Sequence, residues 1–262
     1  MTNKIPLYGF NNLTKSLSFS LYRLHYLVNA EQLSHYKNYI NTHYSSKKLS
    51  DLLHNICHAI GGNVLNIASQ DYQPHGASVT LMISEEAQPK PLLTAVPEYV
   101  VAHLDKSHLC IHTYPDDLSS DVLPLSVKTN TQQCHNQGQV AIFRADIELS
   151  TCGVISPLKV LNYVINVLNA DVIDIDYRVR GMTRNLQGKM QFIDQEIDQI
   201  SDYLSKELVD GYNIENNNLE KKNIFHCRLG RKENTLSHNV FGYTSNDVDS
   251  LSEIEKYNIN CL

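Results

Sequence analysis

The stretch HLDKSHLCIHTYP, residues 103 to 115, brings three histidines, a cysteine and a serine together in one strand-like run. Imidazoles and a thiol at this density are the raw material of metal binding, proton transfer or nucleophilic catalysis. In an extended chain His108, Cys110 and His112 share one side, while Ser107, Leu109 and Ile111 share the other. Spacing alone suits ordinary half-buried strand residues better than a metal site, and it gives Ser107 no special standing. A second thiol, Cys152 in STCG, lies just before a helix that Pro157 opens, a setting that favours reactive cysteines. A lone cysteine in such a place is otherwise a small buried hydrophobe.

Other residues carry weaker signals. Phe10 offers a ring to a cation or a flat heterocycle, but a core position explains it better. Arg144, Asp146 and Glu148 alternate with Phe143, Ala145 and Ile147, the pattern of a strand with one charged face. Arg178, Arg180 and Arg184 suit an interface or a substrate carboxylate. Glu98 and Tyr99 precede the histidine-rich stretch without any distinguishing pattern.

These residues have to be positioned by the elements around them. Residues 13–27 alternate apolar and polar, as a half-buried strand does. SSKKLSDLLHNICHAIGG places Leu49, Leu52, Leu53, Ile56 and Ile60 at helical spacing and stops at Gly61–Gly62. NVLNIASQDY and ASVTLMISEE flank QPHG as the arms of a hairpin. AQPKPLLTAVPEY holds three of the eight prolines and reads as a connection. VVAHLDKSHLCIHTYP, VAIFRADIEL and VIDIDYRVRGMTR read as strands.

The polar run 116–138 reads as a surface loop. Leu158, Leu161, Val164, Ile165 and Leu168 form the apolar face of the helix that Pro157 starts. MQFIDQEIDQISDYLSKEL predicts a further amphipathic helix, and the Asn-rich tail from Asp210 has no clear organisation. Strands and helices come in groups without strict βαβ alternation. The expected class is therefore α+β, a layered sandwich with antiparallel sheets.

Bulk properties narrow the function. The 262 residues carry a net charge of −6, which supplies no basic stripe for nucleic acid. No apolar run reaches the roughly 18 residues that span a bilayer, and the first ten residues contain no secretory h-region. The expected compartment is the cytoplasm, where the six cysteines stay reduced. Their spacing fits no zinc motif. GxGxxG and P-loop patterns do not occur.

Several blocks, in order, closely resemble one family. They are GFNNLTKSLSF, DYQPHGASVTLMISEE, VVAHLDKSHLCIHTYP, FRADIELSTCGVISPLKVLNYVI, DIDYRVRGMTR and NIFH. Together they look like the bacterial S-adenosylmethionine decarboxylase proenzymes, in particular the longer enterobacterial branch. The likeness covers roughly residues 8–200 and thins from about Gly211.

The resemblance implies one domain over 1–262 that cuts itself between Lys106 and Ser107. The products would be a β chain of 1–106 and an α chain of 107–262, with a variable loop at 118–139 and a divergent tail at 211–262. Ser107 becomes a covalent pyruvoyl group that forms a Schiff base with S-adenosylmethionine. His112, five residues on, takes the position of the base that accepts a proton during processing. Cys152 takes that of the proton donor in catalysis. Since simple alternation separates His112 from Ser107, a bend or bulge is expected near the serine. The implied product feeds spermidine synthesis. A divalent ion, usually magnesium, and assembly of αβ pairs into dimers or tetramers are implied as well; no carboxylate cluster identifies metal ligands. Nucleic acid and membrane partners are not expected.

Three other readings compete: a pyruvoyl decarboxylase of an ordinary amino acid, an unprocessed homologue acting as a binding or regulatory partner, and a metal-binding protein using the 12 histidines.

Overall fold

The computed structural model describes residues 10–11, 13–27, 30–85, 106–116, 118, 139–152, 155–181, 183–184, 190–191, 197–219 and 223–232. Its centre is an antiparallel sheet of eight strands. In chain order these are β2 (Thr14–Leu27), β3 (Gly62–Asp71), β4 (Ala77–Glu85), β5 (Lys106–Pro115), β6 (Gln139–Cys152), β7 (Val172–Arg180), β10 (Tyr212–Asn216) and β11 (Ile224–Arg231). Across the sheet the order is β10-β11-β7-β2-β6-β5-β4-β3. Three two-residue strands, β1 (Phe10–Asn11), β8 (Thr183–Arg184) and β9 (Met190–Gln191), form a small second sheet.

Period-two alternation decides which face is covered. Leu17, Phe19 and Leu21 of β2, Leu109 and Ile111 of β5, and Ala145, Ile147 and Leu149 of β6 are buried. Their neighbours Ser16, Ser18 and Ser20, with Cys110 and His112, are half-buried on the other face. Helices α1 (Ala30–His43) and α2 (Ser46–Ile60) contribute Tyr36, Ile40, Leu49, Leu53 and Ile56 to the same core. Each such fully buried aliphatic side chain is worth about 2 kcal/mol over exposure. Helix α2 ends at Gly61, whose φ of 83° is the left-handed C-terminal cap that only glycine adopts cheaply. Its first turn is held from outside by Asp71, which accepts from the backbone N–H of Ser46 at 2.6 Å and from its hydroxyl at 2.8 Å.

The strand at 13–27, the helix ending at Gly61 and the hairpin around QPHG stand where the residue patterns put them. A 3₁₀ turn, Pro157–Val160, leads into α3 (Leu161–Leu168). The helix expected from MQFIDQEIDQISDYLSKEL is not continuous. Met190–Gln191 is strand β9, Ile200–Tyr203 a 3₁₀ turn and α4 only Lys206–Gly211. Tertiary anchoring breaks the helix: Asn162 of α3 accepts from the Ser205 backbone N–H at 2.8 Å and donates to the Tyr203 carbonyl at 2.9 Å. Ser205 then caps α4, accepting from Leu208 N–H. The tail beyond Asp210, left without order above, supplies the edge hairpin β10–β11 as far as Arg231.

Among the described residues no helix is long and apolar enough to cross a membrane. Most of the 118–139 loop, His103, Glu98, Tyr99, the connection before β5 and the tail past residue 232 lie outside the described residues, as do the side chains of Phe10 and Arg184.

Candidate active site

Ser107 is the second residue of β5 and its side chain points to the covered face, 6% exposed. Its Oγ accepts a hydrogen bond from the backbone N–H of Cys152 at 3.1 Å. The fold thus joins two residues 45 positions apart. Cys152 is the last residue of β6, and its Sγ lies on the opposite, open face, 4.0 Å from Thr14 Oγ1. Beside that pair, Ser16 Oγ and Ser150 Oγ are 3.5 Å apart.

His112 is not brought to Ser107. β5 keeps unbroken register with β4 from Ser78↔His112 to Ser84↔Lys106, and with β6 from His108↔Ser150 to Pro115↔Phe143. Among the described residues, which begin at Lys106 on this strand, the bend or bulge expected near the serine is therefore absent. β6, paired with β2 along its whole length, holds β5 straight from one side and β4 from the other. At about 3.3 Å per residue, His112 lies roughly 16 Å along the strand from Ser107.

The open face is polar and ordered in rows. His112, Asp146, Ser20, Asp174 and Arg228 line up across five strands, as do Cys110, Glu148, Ser18, Asp176 and His226. Arg144 pairs with Asp146 at 3.3 Å, and His226 with Asp176 at 3.0 Å. Arg178 and Arg180 stand exposed in the rows of Ser16 and Thr14. Among the described residues no group of three or more His, Cys, Asp and Glu side chains is arranged to hold a metal ion.

Chemistry separates the thiols. Burial pushes Cys57 up to about 11 and Cys227 to about 12, in the latter case helped by Asp174. Burial and then Glu148 also raise Cys110. In each of these thiols the shift favours the protonated form. Cys152 is the one whose backbone touches Ser107.

One residue near the site was not singled out by the sequence pattern. Lys15, completely buried, stands on the covered face opposite Thr151, the residue that the β5–β6 register, if continued, would set opposite Ser107. The available signal was a lysine at an apolar position of the alternating strand, between Leu13 and Leu17.

A family model described as S-adenosylmethionine decarboxylase matches residues 36–136. The S-adenosylmethionine decarboxylase proenzyme of Salmonella arizonae is 45% identical, over 98% of this chain and 92% of its own length. That of Salmonella heidelberg is 45% identical with the same coverage. Among solved structures, the adenosylmethionine decarboxylase of Aquifex aeolicus aligns over 72% of this chain and all of its own, with 16% identity and a TM-score of 0.36.

Proposed function

The chain belongs to the S-adenosylmethionine decarboxylase family, and from that premise we propose that it is a proenzyme that cuts itself between Lys106 and Ser107, carries a pyruvoyl group at residue 107 and decarboxylates S-adenosylmethionine. The product, S-adenosylmethioninamine, supplies aminopropyl groups for spermidine synthesis in the cytoplasm. The observation that carries this reading is the bond from Cys152 N–H to Ser107 Oγ, which sets the backbone of the one residue against the side chain of the other.

In processing, Ser107 Oγ attacks the carbonyl carbon of Lys106, its proton passes to the Ser107 nitrogen, and that nitrogen departs as a free amine, converting the amide into an ester. A base removes the Cα proton of Ser107. The Cα=Cβ bond forms and the Cβ–Oγ bond breaks, leaving Oγ on the Lys106 carboxylate. Water then releases ammonia from the new chain end. We assign the base to His112. Since one straight strand holds it roughly 16 Å from its own Ser107, it acts on the Ser107 of a second copy within a dimer or tetramer of αβ pairs.

The residues around Ser107 fit the group that processing would leave there. The site is nearly dry, which protects a reactive carbonyl, and it is bordered by a backbone donor. With the group in place, the site gains a ketone that condenses with the substrate amine and takes up the electrons released with CO2. Cys152, on the strand beside the new terminus, returns a proton to the substrate Cα. Thr14 Oγ1 stands beside its sulfur. For magnesium no ligand set presents itself among the described residues.

The test is the intact mass of the purified polypeptides. Two chains, 1–106 and 107–262, are expected, the second lighter by one ammonia than its sequence. A single 29.7 kDa chain would refute the reading. Release of CO2 from S-adenosylmethionine, and none from free arginine, aspartate or histidine, checks the substrate.

A further inference from the structure

The ladder around the proposed cut is lopsided. On one side β4 pairs with β5 straight through it, Ile83 opposing Ser107 and Ser84 opposing Lys106. On the other side the pairing of β5 with β6 ends at His108↔Ser150. β6 nevertheless continues to Cys152 and stays paired with β2 there, through Thr14↔Cys152. Two residues further, the β5–β6 ladder would set Lys106 opposite Cys152. Instead the Cys152 N–H is turned onto Ser107 Oγ, 3.1 Å away.

We propose that this backbone N–H is an oxyanion-type donor for self-cleavage, fixing Ser107 Oγ for attack and stabilising the charge that gathers on it when its bond to Cβ breaks. The inference rests on the reading that the chain cuts itself between Lys106 and Ser107. In the attack, an N–H on one lone pair of Oγ holds the side chain in one rotamer and leaves another lone pair for the Lys106 carbonyl carbon. In the elimination, the base takes the Cα proton and the C–H pair becomes the Cα=Cβ bond. The Cβ–Oγ pair stays on Oγ, which is then an oxygen of the Lys106 carboxylate. Negative charge thus develops on the atom to which the donor points.

Two features make such a donor effective. Ser107 is nearly excluded from water, so a fixed dipole there acts in a low dielectric. The donor belongs to a strand clamped by β2, so it needs no reorganisation as charge appears. This role is separate from that of the Cys152 thiol, which faces the other side of the sheet.

The test exchanges one backbone group. In cell-free translation with a suppressor tRNA, lactic acid is placed at position 152 and compared with Cys152→Ala. The two chains differ only in an ester oxygen replacing the N–H. Appearance of the two fragments is followed on denaturing gels. The Cys152→Ala chain is expected to cut, and the lactic-acid chain to cut about 100-fold more slowly. The same comparison at Ser150, Ser150→Ala against lactic acid, measures the cost of losing an ordinary strand bond and is expected to give equal rates. Equal rates at 152, or the same slowing at 150 as at 152, would overturn the proposal. So would a Cys152→Ala chain that stays whole while the native chain cuts, because the thiol would then carry the effect. A native chain that itself stays whole defeats the cleavage reading, and the donor role with it.

Discussion

Ser107 and His112 stand on opposite faces of one straight strand, roughly 16 Å apart along it. The unbroken register of β5 with both neighbours leaves no bulge to bring the ring back to the serine. On the reading proposed above, a site built from both residues draws them from two chains.

That arrangement predicts complementation. Ser107→Ala and His112→Ala chains should each remain uncut when made alone. Mixed during synthesis, the Ser107→Ala chain supplies an intact histidine to the His112→Ala chain, which should then be cut. Gel analysis with one chain tagged reads the result. No cutting in the mixture would place His112 elsewhere in the mechanism.

Ser107→Ala by itself should give a folded, uncut chain of 29.7 kDa with no decarboxylase activity. Ser107 is small and sits near the end of its strand, so losing one hydroxyl and the bond from Cys152 N–H should cost only about 1 kcal/mol of stability. Two fragments from this variant would move the cut away from residue 107.

Cys152→Ala should still be cut but lose turnover by about 100-fold or more, the typical contribution of a positioned proton donor. Its backbone N–H is unchanged, so processing keeps its donor. Wild-type turnover in this variant would disprove the assignment of the thiol.

Acid should weaken the fold through His25. This ring is 2% exposed, between Tyr36 and Tyr39, and burial, with the charge of Arg23 second, lowers its pKa to about 4. The unfolded chain, with its histidine near 6.5, binds more protons between these values, so stability is full above about 6.5 and falls as the pH drops toward 4. The loss attributable to this group is on the order of 3 kcal/mol. Urea unfolding at both ends of that window should show a smaller acid loss in His25→Phe than in the native chain. An identical loss would mean that other groups dominate.

Thiol reactivity should sort by burial. At pH 8 the folded protein should protect Cys57 and Cys227, whose thiols lie near 11 and 12, while urea exposes both to iodoacetamide. Peptide mapping of the alkylated protein checks this. Rapid labelling of Cys227 in the native state would contradict its packing between β7 and β10 in the sheet order.

Local patterns were legible in the residues. The alternation of 13–27, the apolar face of Leu49, Leu52, Leu53, Ile56 and Ile60 with its glycine stop, and the hairpin around QPHG each follow from short-range chemistry, and each stands in the structure. The family was legible from long matching blocks, which named Ser107, His112 and Cys152 where spacing could not. Decisions that need partners distant in the chain were made only in three dimensions. Asn162 breaks the helix that the pattern 190–208 predicts, because it holds Ser205 and Tyr203 from another element. Pairing of β11 with β7 organises a tail left without order by the sequence reading, although Phe225, Cys227 and Leu229 alternate there with His226 and Arg228. The meeting of Cys152 N–H with Ser107 Oγ depends on where one ladder stops, and period-two alternation, which fixes faces but not strand neighbours, contains no information about that.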